Sequence, residues 1–293
     1  MKVQMKRFAT LTLAFAASLA LGAPALAIDN ASSDFPEAVD KPFVIQLAGV
    51  WNSFDTQARL DVTRGGLVSV GTTLDLEQLF GVPTTQWDFR GDGSWRISKR
   101  NYIDFGYSSL YRSGTRTLEG DVVWNGYTYK AGASIDGKFD NYYGYVGWHY
   151  DIFRADNVKV WAGLSIAYEH IETGLNGQAQ ITNPDGTITK GAVFNDFSVG
   201  LPAPLIGLGV SGAISKSWTF DFYTRAIGFS STDIAGSILE GGLAFGWYPT
   251  KNFGVVGGAD FTKINLRKYK NDNQTVSASY SYVGPRLGLV VGF

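Results

Sequence analysis

Apolar and polar residues alternate with a period of two through most of the chain. In "TQWDFRGDGSWRI", for example, the apolar Trp87 and Phe89 alternate with the charged Arg90. "NVKVWAGLSIAYEH" and "SILEGGLAFGWYP" repeat the pattern, although Trp161 falls on the polar face. Alternation of this kind is typical of strands whose two faces meet different surroundings. The pattern predicts an all-β fold with about ten strands.

The connections between these segments alternate in length. Short links are predicted at Ser98–Asn101, Asp151–Asp156, Ser215–Ser217 and Pro249–Asn252. Long links are predicted at Asp55–Pro83, Ser113–Ser134, Glu172–Pro204, Ser230–Ile234 and Leu266–Val276. Tight turns would then gather at one end of the molecule and extended loops at the other, as in transmembrane barrels.

Aromatic residues cluster beside the short links. They are Trp95, Tyr102, Trp148, Tyr150, Trp218, Trp247, Tyr248, Phe253 and Phe293. Trp and Tyr favour the boundary between membrane and water, because an apolar ring there carries a polar edge. A soluble secreted β-sandwich is the alternative fold, but it gives no reason for this cluster or for the rhythm of link lengths.

Composition narrows the choice further. The chain has 36 glycines and 14% aromatic residues, and both values are high for a soluble β protein. Mean hydropathy is −0.03, and no stretch after residue 27 is apolar enough for a transmembrane helix. If this chain is in a membrane, it must therefore cross with alternating strands. The absence of cysteine excludes disulfides and a lipid-modified cysteine.

The chain begins with "MKVQMKRFATLTLAFAASLALGAPALA". A basic start, an apolar run and a final A-x-A are typical of a cleaved secretory signal. We therefore predict a signal peptide at 1–27, a periplasmic N-terminal segment at 28–42 and a β-barrel at 43–293.

The last strand, "YVGPRLGLVVGF", ends on Phe293. With its signal peptide and amphipathic strands, the chain resembles the outer-membrane β-barrel proteins of Gram-negative bacteria. The resemblance implies a single antiparallel up-and-down transmembrane barrel in the cell outer membrane, with short periplasmic turns and long extracellular loops. It also implies contact with the lipid bilayer and lipopolysaccharide, and delivery by periplasmic chaperones to the barrel-assembly machinery, for which Phe293 is the assembly signal. We expect a monomer.

The polar faces of the predicted strands supply candidates for lining the lumen. These are Asp88, Arg90, Asp92, Arg96, Asp104, Lys159, Glu169, Asp221, Arg225, Glu240, Asp260 and Arg286. Lys138 and Asp140 are expected on the same inner face. Opposite charges in this space should pair, since an unpaired buried charge is costly. A barrel of this size leaves room for side chains or a thin water path, so a narrow or plugged lumen is predicted.

Other motifs change this picture little. "GLGVSG", from Gly207 to Gly212, matches G-x-G-x-x-G, but a turn and another strand follow it, where dinucleotide binding requires a helix. A net charge of −1 with scattered basic residues gives no case for a nucleic-acid partner. Two histidines do not make a metal site unaided, and we expect no cofactor.

The predicted long links contain local structure of their own. "TLDLEQLF" could form a short helix capped by Thr73, which would cover the mouth or lie on the membrane. A loop packed on its neighbours is the favoured alternative. Asn125-Gly126 and Pro184-Asp185-Gly186 predict hairpin turns.

Three functions remain open on the sequence. The first is a non-enzymatic outer-membrane barrel for envelope structure, surface contact or narrow small-solute passage. The second is a barrel hydrolase acting on lipid A or peptide, with His170 as base beside Glu169 or Glu172. The third is the soluble secreted sandwich.

Overall fold

The computed structural model describes residues 34–64, 67–69, 71, 73–124, 127–182, 187–271 and 274–293. The predicted signal peptide lies outside these residues. In chain order the strands are β1 Phe43–Arg64, β2 Leu67–Ser69, β3 Leu74–Asp75, β4 Thr85–Arg96, β5 Asn101–Thr117, β6 Val122–Trp124, β7 Tyr127–Tyr129, β8 Ser134–Arg154, β9 Val158–Thr182, β10 Ile188–Ser215, β11 Trp218–Ser230, β12 Ile234–Trp247, β13 Phe253–Asn271 and β14 Gln274–Gly292. A 3-10 helix spans Glu37–Val39 and an α-helix, α1, spans Leu76–Phe80. Within the described ranges, no helix is long and apolar enough to cross a membrane.

The ten long strands form one antiparallel sheet that closes on itself. Its order is β10-β11-β12-β13-β14-β1-β4-β5-β8-β9, and β9 pairs with β10 to complete the ring. The first and last strands pair along most of their length, from Val44↔Gly292 to Val62↔Gln274. Closure gives each long strand a partner on both sides, which hydrocarbon requires because it offers no hydrogen bonds to a free edge. The predicted ten-stranded barrel is confirmed, and the sandwich alternative is wrong.

The two ends of the barrel differ. One end of the barrel, which we call the turn end, carries the short links at 97–100, 155–157, 216–217 and 248–252. The first residue of β1 and the last residue of β14 lie at the same end. The opposite end, the loop end, carries the segment with β2, β3 and α1 and the hairpin formed by β6 and β7.

Two of the predicted long links are largely paired strand in the described residues, and for the link between β9 and β10 this agrees with the hairpin predicted there. β9 and β10 stay paired from Val158↔Gly212 to Thr182↔Ile188, across the range predicted as the loop Glu172–Pro204. β13 and β14 likewise pair through most of Leu266–Val276. Backbone groups need partners beyond the bilayer as well as inside it, and here they find them by extending the wall. The predicted turns at Asn125-Gly126 and at Pro184–Gly186 lie outside the described residues.

A belt of exposed apolar side chains surrounds the turn-end part of the wall. Its larger members are Leu47, Phe89, Phe105, Leu164, Ile206, Leu208, Phe222, Leu239, Leu243, Phe245, Phe261, Val283, Leu287 and Leu289. Of the predicted aromatic cluster, Trp148, Trp218, Trp247 and Phe293 are exposed and border the belt at the turn end. Tyr102 and Tyr248 were wrongly assigned to this girdle, because both lie inside the barrel. Trp51, Trp87, Tyr111 and Tyr168 are exposed towards the loop end and form a second girdle that the sequence did not reveal. A continuous apolar surface of this extent is typical of contact with lipid.

The polarity of the two faces reverses above this belt. On β13 the outward Phe261 is followed by outward Lys263 and Arg267, while Ile264 and Leu266 are buried inside. The outer faces of β1 and β14 change from apolar to polar in the same way. On β1 the outward residues pass from Leu47 to Gln57, and on β14 they pass from Val283 to Ser279. We call the part with the apolar exterior the belt section and the part with the polar exterior the loop-end section.

The sequence-based placement of Lys138 and Asp140 on the inner face of the barrel is wrong, because both lie in the part where polarity is reversed. Both alternate with the buried Phe139 and Asn141 and therefore lie on the outer face. Nζ of Lys138 lies 2.6 Å from a carboxylate oxygen of Glu172. The expectation that polar residues point inward fails here because water, and not lipid, surrounds the loop-end section.

Candidate functional site

The interior of the barrel holds the candidate site. Four layers follow one another along its axis, and one of them is a chamber. From the turn end these are the N-terminal segment 34–42, a polar chamber, a central layer of ion pairs and tyrosines, and an apolar core that includes α1. Each layer is built by side chains on the inward face of several strands.

The N-terminal segment folds into the turn-end mouth. Phe35 is 6% exposed and Ala38 is fully buried. The backbone N–H of Asp34 donates to the carbonyl of Asp156 at 2.9 Å. The segment therefore closes the mouth, although the division of the chain at residue 43 stays a prediction.

Asp40 fixes this segment through three cations. Its Oδ1 lies 3.0 Å from Nη1 of Arg96, 3.3 Å from Nη2 of Arg154 and 3.4 Å from Nζ of Lys159. Nη2 of Arg96 also donates to the Asp40 carbonyl at 2.6 Å. Arg96, Arg154 and Lys159 come from β4, β8 and β9, and we call them the cation cradle. Only tertiary structure brings them together.

Above the segment lies the chamber, which consists of two adjoining cavities of about 150 and about 270 Å³. Both cavities are lined by Ser94, His149, Trp161, Ser211 and Asp221. Phe35 and Val39 of the N-terminal segment close the chamber on the turn-end side.

His149 is held firmly in the chamber. Its Nδ1 contacts Oδ2 of Asp104, a predicted lumen candidate. Tyr102 stacks on one side of the imidazole at 4.5 Å between centroids, and Trp161 packs at 5.0 Å. A carboxylate–imidazole pair can act as a base. The two rings and the carboxylate together fix the orientation of the imidazole in the chamber.

Trp161 breaks the alternation because it fills the interior. Gly207 and Gly209 face it across the β9–β10 ladder, and a Cβ at either position would press on the indole ring. Gly207 and Gly209, the first two glycines of the G-x-G-x-x-G match, therefore make room for a large inward side chain. Sequence reasoning identified them as wall glycines but did not identify the ring that they accommodate.

The central layer pairs several predicted charges. Arg90 lies 2.8 Å from Asp92, Arg225 3.1 Å from Glu240, and Arg286 3.3 Å from Asp260. Three tyrosine hydroxyls donate to the same acids: Tyr143 to Glu240 and Tyr145 to Asp92, each at 2.9 Å, and Tyr223 to Asp260 at 3.3 Å.

One of these tyrosines reaches across the barrel. Tyr143 on β8 donates to Glu240 on β12, four strands away around the ring of ten, whereas Tyr145 and Tyr223 each reach an acid two strands away. The guanidinium of Arg225 lies 4.2 Å above the ring of Tyr145. The layer thus spans the interior, and ion pairing and cation–π contacts offset the cost of burying its charges.

Three predicted acids have other surroundings. Glu169 is 2% exposed and accepts from the amide of Asn141. Asp221 accepts from the hydroxyl of Thr219 at 3.5 Å. Asp88 is partly buried on β4. That the twelve candidates line a narrow or plugged lumen remains a prediction.

The loop-end section contains an apolar core. Its fully or nearly fully buried members include Leu60, Leu74, Leu76, Phe80, Trp124, Ile135 and Leu175. Helix α1 lies within this core. Asp75, and not the predicted Thr73, caps the helix, since its Oδ1 accepts from the N–H of Gln78 at 2.8 Å. The helix covers the mouth, so the favoured loop alternative is wrong.

A buried ion pair joins α1 to the wall. Nη1 of Arg112 on β5 lies 2.5 Å from Oε1 of Glu77, and both side chains are almost fully buried. Nη2 of Arg112 donates to the Thr56 hydroxyl at 2.7 Å, and Oε2 of Glu77 accepts from the Thr56 N–H at 2.9 Å. The ring of Phe54 lies 4.3 Å from the guanidinium. Gly137 allows the helix to approach, because a Cβ there would overlap Phe80.

The predicted hydrolase pair does not form. His170 lies on the outer face beside Tyr142 and Tyr168, whereas Glu169 points into the barrel. Glu172 shares the outer face but pairs with Lys138. Consecutive residues of a strand point to opposite faces, so His170 and Glu169 could not act together from one strand.

Phe293 ends the barrel seam. Its N–H donates to the carbonyl of Phe43 at 2.8 Å, and the two rings lie 6.3 Å apart. The side chain is 63% exposed on the outer surface at the turn end.

Solved structures with a similar fold are outer-membrane barrels. The outer membrane protease OmpT from Escherichia coli superposes with a TM-score of 0.53 and 11% identity, over 86% of this chain and 97% of that chain. The toluene transporter TbuX from Ralstonia pickettii gives a TM-score of 0.35 at 10% identity, over 86% and 90% of the two chains. The attachment invasion locus protein Ail of Yersinia pestis gives 0.28 at 11%, over 83% and 98%. No protein-family profile and no curated protein sequence matches the chain.

At these identities the similarity shows the fold alone, and that conclusion is drawn here from the OmpT superposition. The fold is that of an outer-membrane β-barrel protein. Together with the lipid-facing belt, it places the protein in the cell outer membrane.

Proposed function

We propose that the protein is a non-enzymatic outer-membrane barrel that serves envelope structure or surface contact and does not conduct solutes. The observation that carries the proposal is the filled interior. A barrel built for passage needs a continuous path along its axis, whereas here the N-terminal segment, the central layer and the apolar core each lie across it.

Each layer supports a closed barrel in a different way. The N-terminal segment closes the turn-end mouth through Asp40. The central layer joins opposite walls through Tyr143 and Glu240. At the loop end, Phe80 and Arg112 are buried with almost no solvent contact. The chamber lies between the first two of these barriers, and the apolar core lies beyond the second.

The loop-end section supports a role at the surface. It extends the wall beyond the belt, with polar residues outside and an apolar core inside, as in a soluble domain. In the expected orientation the turn end faces the periplasm and the loop end faces outward, next to lipopolysaccharide. We propose that Phe293 directs assembly by the barrel-assembly machinery after delivery by periplasmic chaperones, and that the barrel is monomeric.

Conductance in planar bilayers tests the proposal. Purified wild-type barrel should give no current steps above a small leak. A control variant replaces 73–82 with a glycine–serine linker of equal length and also carries Tyr143→Gly, Arg225→Gly and Asp40→Asn. It should give steps and so show that insertion and detection work. Regular steps from the wild type would contradict the non-conducting role and favour narrow solute passage.

A second test concerns hydrolysis. Cells producing wild type, His170→Ala or His149→Ala are compared for lipid A acyl pattern and for cleavage of a surface peptide. We expect the three strains to agree in both measurements. A difference between wild type and either variant would contradict the non-enzymatic proposal and identify the histidine concerned.

A further inference from the structure

We propose that the cation cradle is a binding site for a phosphate group. In this structure the carboxylate of Asp40, which is attached to the barrel through the N-terminal segment, occupies that site. The three cations Arg96, Arg154 and Lys159 converge on a carboxylate that belongs to the N-terminal segment and not to the barrel wall. Displacement of that carboxylate by a phosphate would release the segment and open the chamber at the turn end.

The donors of the cradle exceed what one carboxylate oxygen can accept. Oδ1 of Asp40 has two lone pairs, yet three cationic groups lie within 3.0 to 3.4 Å of it. A phosphate offers three or more acceptor oxygens in a tetrahedral arrangement. Arginine forks bind such groups in pairs of hydrogen bonds, so two arginines with a lysine suit a phosphate better than a single carboxylate.

Arg96 provides independent evidence for a missing acceptor. Its side chain is 7% exposed, and its Nε is buried without a hydrogen-bond partner among the described residues. A buried donor left unpaired is costly, and native structures rarely retain one without a reason. A larger anion in the cradle could accept from this Nε as well as from the terminal nitrogens.

Charge also favours an anion in place of Asp40. The three cations of the cradle face three carboxylates: Asp40, Asp151, which lies 3.2 Å from Arg154, and Asp221, which lines the same cavity as Lys159. If the Asp40 carboxylate left, one positive charge would be in excess. A phosphate, which carries about −1.5 to −2 at neutral pH, would compensate that charge.

Asp40 competes with any ligand because it is tethered. An attached group acts at an effective concentration in the millimolar range, so free phosphate should bind the wild type weakly. Removal of the Asp40 charge should expose the full affinity of the cradle. The site would thus be weak in the closed barrel and strong once the segment has been displaced.

Calorimetry with inorganic phosphate tests the site directly. The barrel is titrated in neutral detergent at fixed ionic strength, with chloride as the balancing anion. We expect Asp40→Asn to bind phosphate at least tenfold more tightly than the wild type. Adding Lys159→Gln or Arg154→Gln to Asp40→Asn should lower the affinity at least tenfold, whereas adding Lys216→Gln, at an exposed turn residue, should leave it unchanged.

A parallel titration with short-chain phosphatidic acid separates the two sources of a phosphate group. Binding of inorganic phosphate supports a free ligand, and binding of the lipid alone supports a headgroup of the adjacent leaflet. Equal binding by wild type and Asp40→Asn, or no binding of either ligand by Asp40→Asn, would overturn the proposal. Heat-modifiable gel mobility confirms that each variant is a folded barrel.

Movement of the segment gives a second measurement. The chain has no cysteine, so Glu37→Cys provides a unique site for a nitroxide on the exposed side of the 3-10 helix. Saturating phosphate should increase label mobility in the otherwise unchanged barrel, and Lys216→Cys should report no change. A label at residue 37 that stays immobile at saturation would contradict displacement.

Discussion

The belt section and the loop-end section are built from the same strands but have opposite polarity. In the belt section Leu243 and Leu287 face outward, and ion pairs such as Arg90–Asp92 lie inside. In the loop-end section Lys263 faces outward, and Ile264 lies inside. The comparison teaches that the solvent outside the wall decides which face of each strand is apolar.

The two interiors differ for the same reason. Water surrounds the loop-end section, so burial of apolar side chains can stabilise it as in a soluble domain. Lipid surrounds the belt section, and transfer of apolar side chains from lipid to the interior gains little. Hydrogen bonds and ion pairs across the lumen fill that interior instead, as Tyr145 and Asp92 show.

The largest expected effect comes from breaking the buried pair in the loop-end section. Glu77→Gln should cost about 3–5 kcal/mol of unfolding free energy, because it leaves Arg112 charged and buried without its partner. Denaturant unfolding in lipid vesicles, followed by tryptophan fluorescence, measures the change. Glu119→Gln, at an exposed pair with Arg116, is the control and should leave the midpoint unchanged.

A double variant sharpens this prediction. Glu77→Leu combined with Arg112→Met removes both charges and keeps an apolar volume in the core. It should recover most of the stability lost in Glu77→Gln. Failure to recover would mean that the polar contacts with Thr56, and not the unpaired charge, dominate at this site.

The next effect compares the outer faces of the two sections. Leu243→Arg should cost about 2–4 kcal/mol, because it places a charge among lipid tails. Gln57→Arg, on the polar exterior of β1, should stay within about 0.5 kcal/mol of wild type. The same unfolding measurement applies. Equal costs at the two sites would contradict the position of the boundary between the sections.

The smallest effect concerns the packing of Trp161. Gly209→Ala should cost about 1–3 kcal/mol, because its Cβ would press on the indole ring. Gly257→Ala is the matched control, since a Cβ there meets no atom within 4 Å. Gly209→Ala combined with Trp161→Phe should restore part of the loss. No difference between the two alanine variants would show that the chamber wall is loosely packed.

The alternation of residues predicted the strands, and the link lengths, the aromatic cluster and the family resemblance predicted that they close into a barrel. Phe89 and Arg90, for instance, were assigned to the correct faces of β4 without tertiary information. The same rule failed for Lys138 and Asp140, since alternation alone does not reveal where along a strand the surrounding solvent changes. The second aromatic girdle, towards the loop end, was likewise not predicted. Two of its members, Trp51 and Trp87, are 36 residues apart in the chain but pair directly in the sheet.

The site was less predictable than the wall. Arg96 and Lys159 appeared as separate lumen candidates, and nothing in their local sequence connects them with Asp40. Arg96 is 56 positions and Lys159 is 119 positions away from Asp40 in the chain, so only the closed barrel brings them into contact with it. The pairing of Glu77 with Arg112 is equally non-local, at a separation of 35 residues.

The sequence by itself determined a closed, lipid-embedded sheet, because a two-residue period records which side of each strand meets lipid. Tertiary structure alone decided what fills the hollow. The cation cradle, the tyrosine layer and the capped helix each depend on distances between strands that are remote in the chain. Those distances follow from the register of the ring, and a linear pattern of side chains does not encode them.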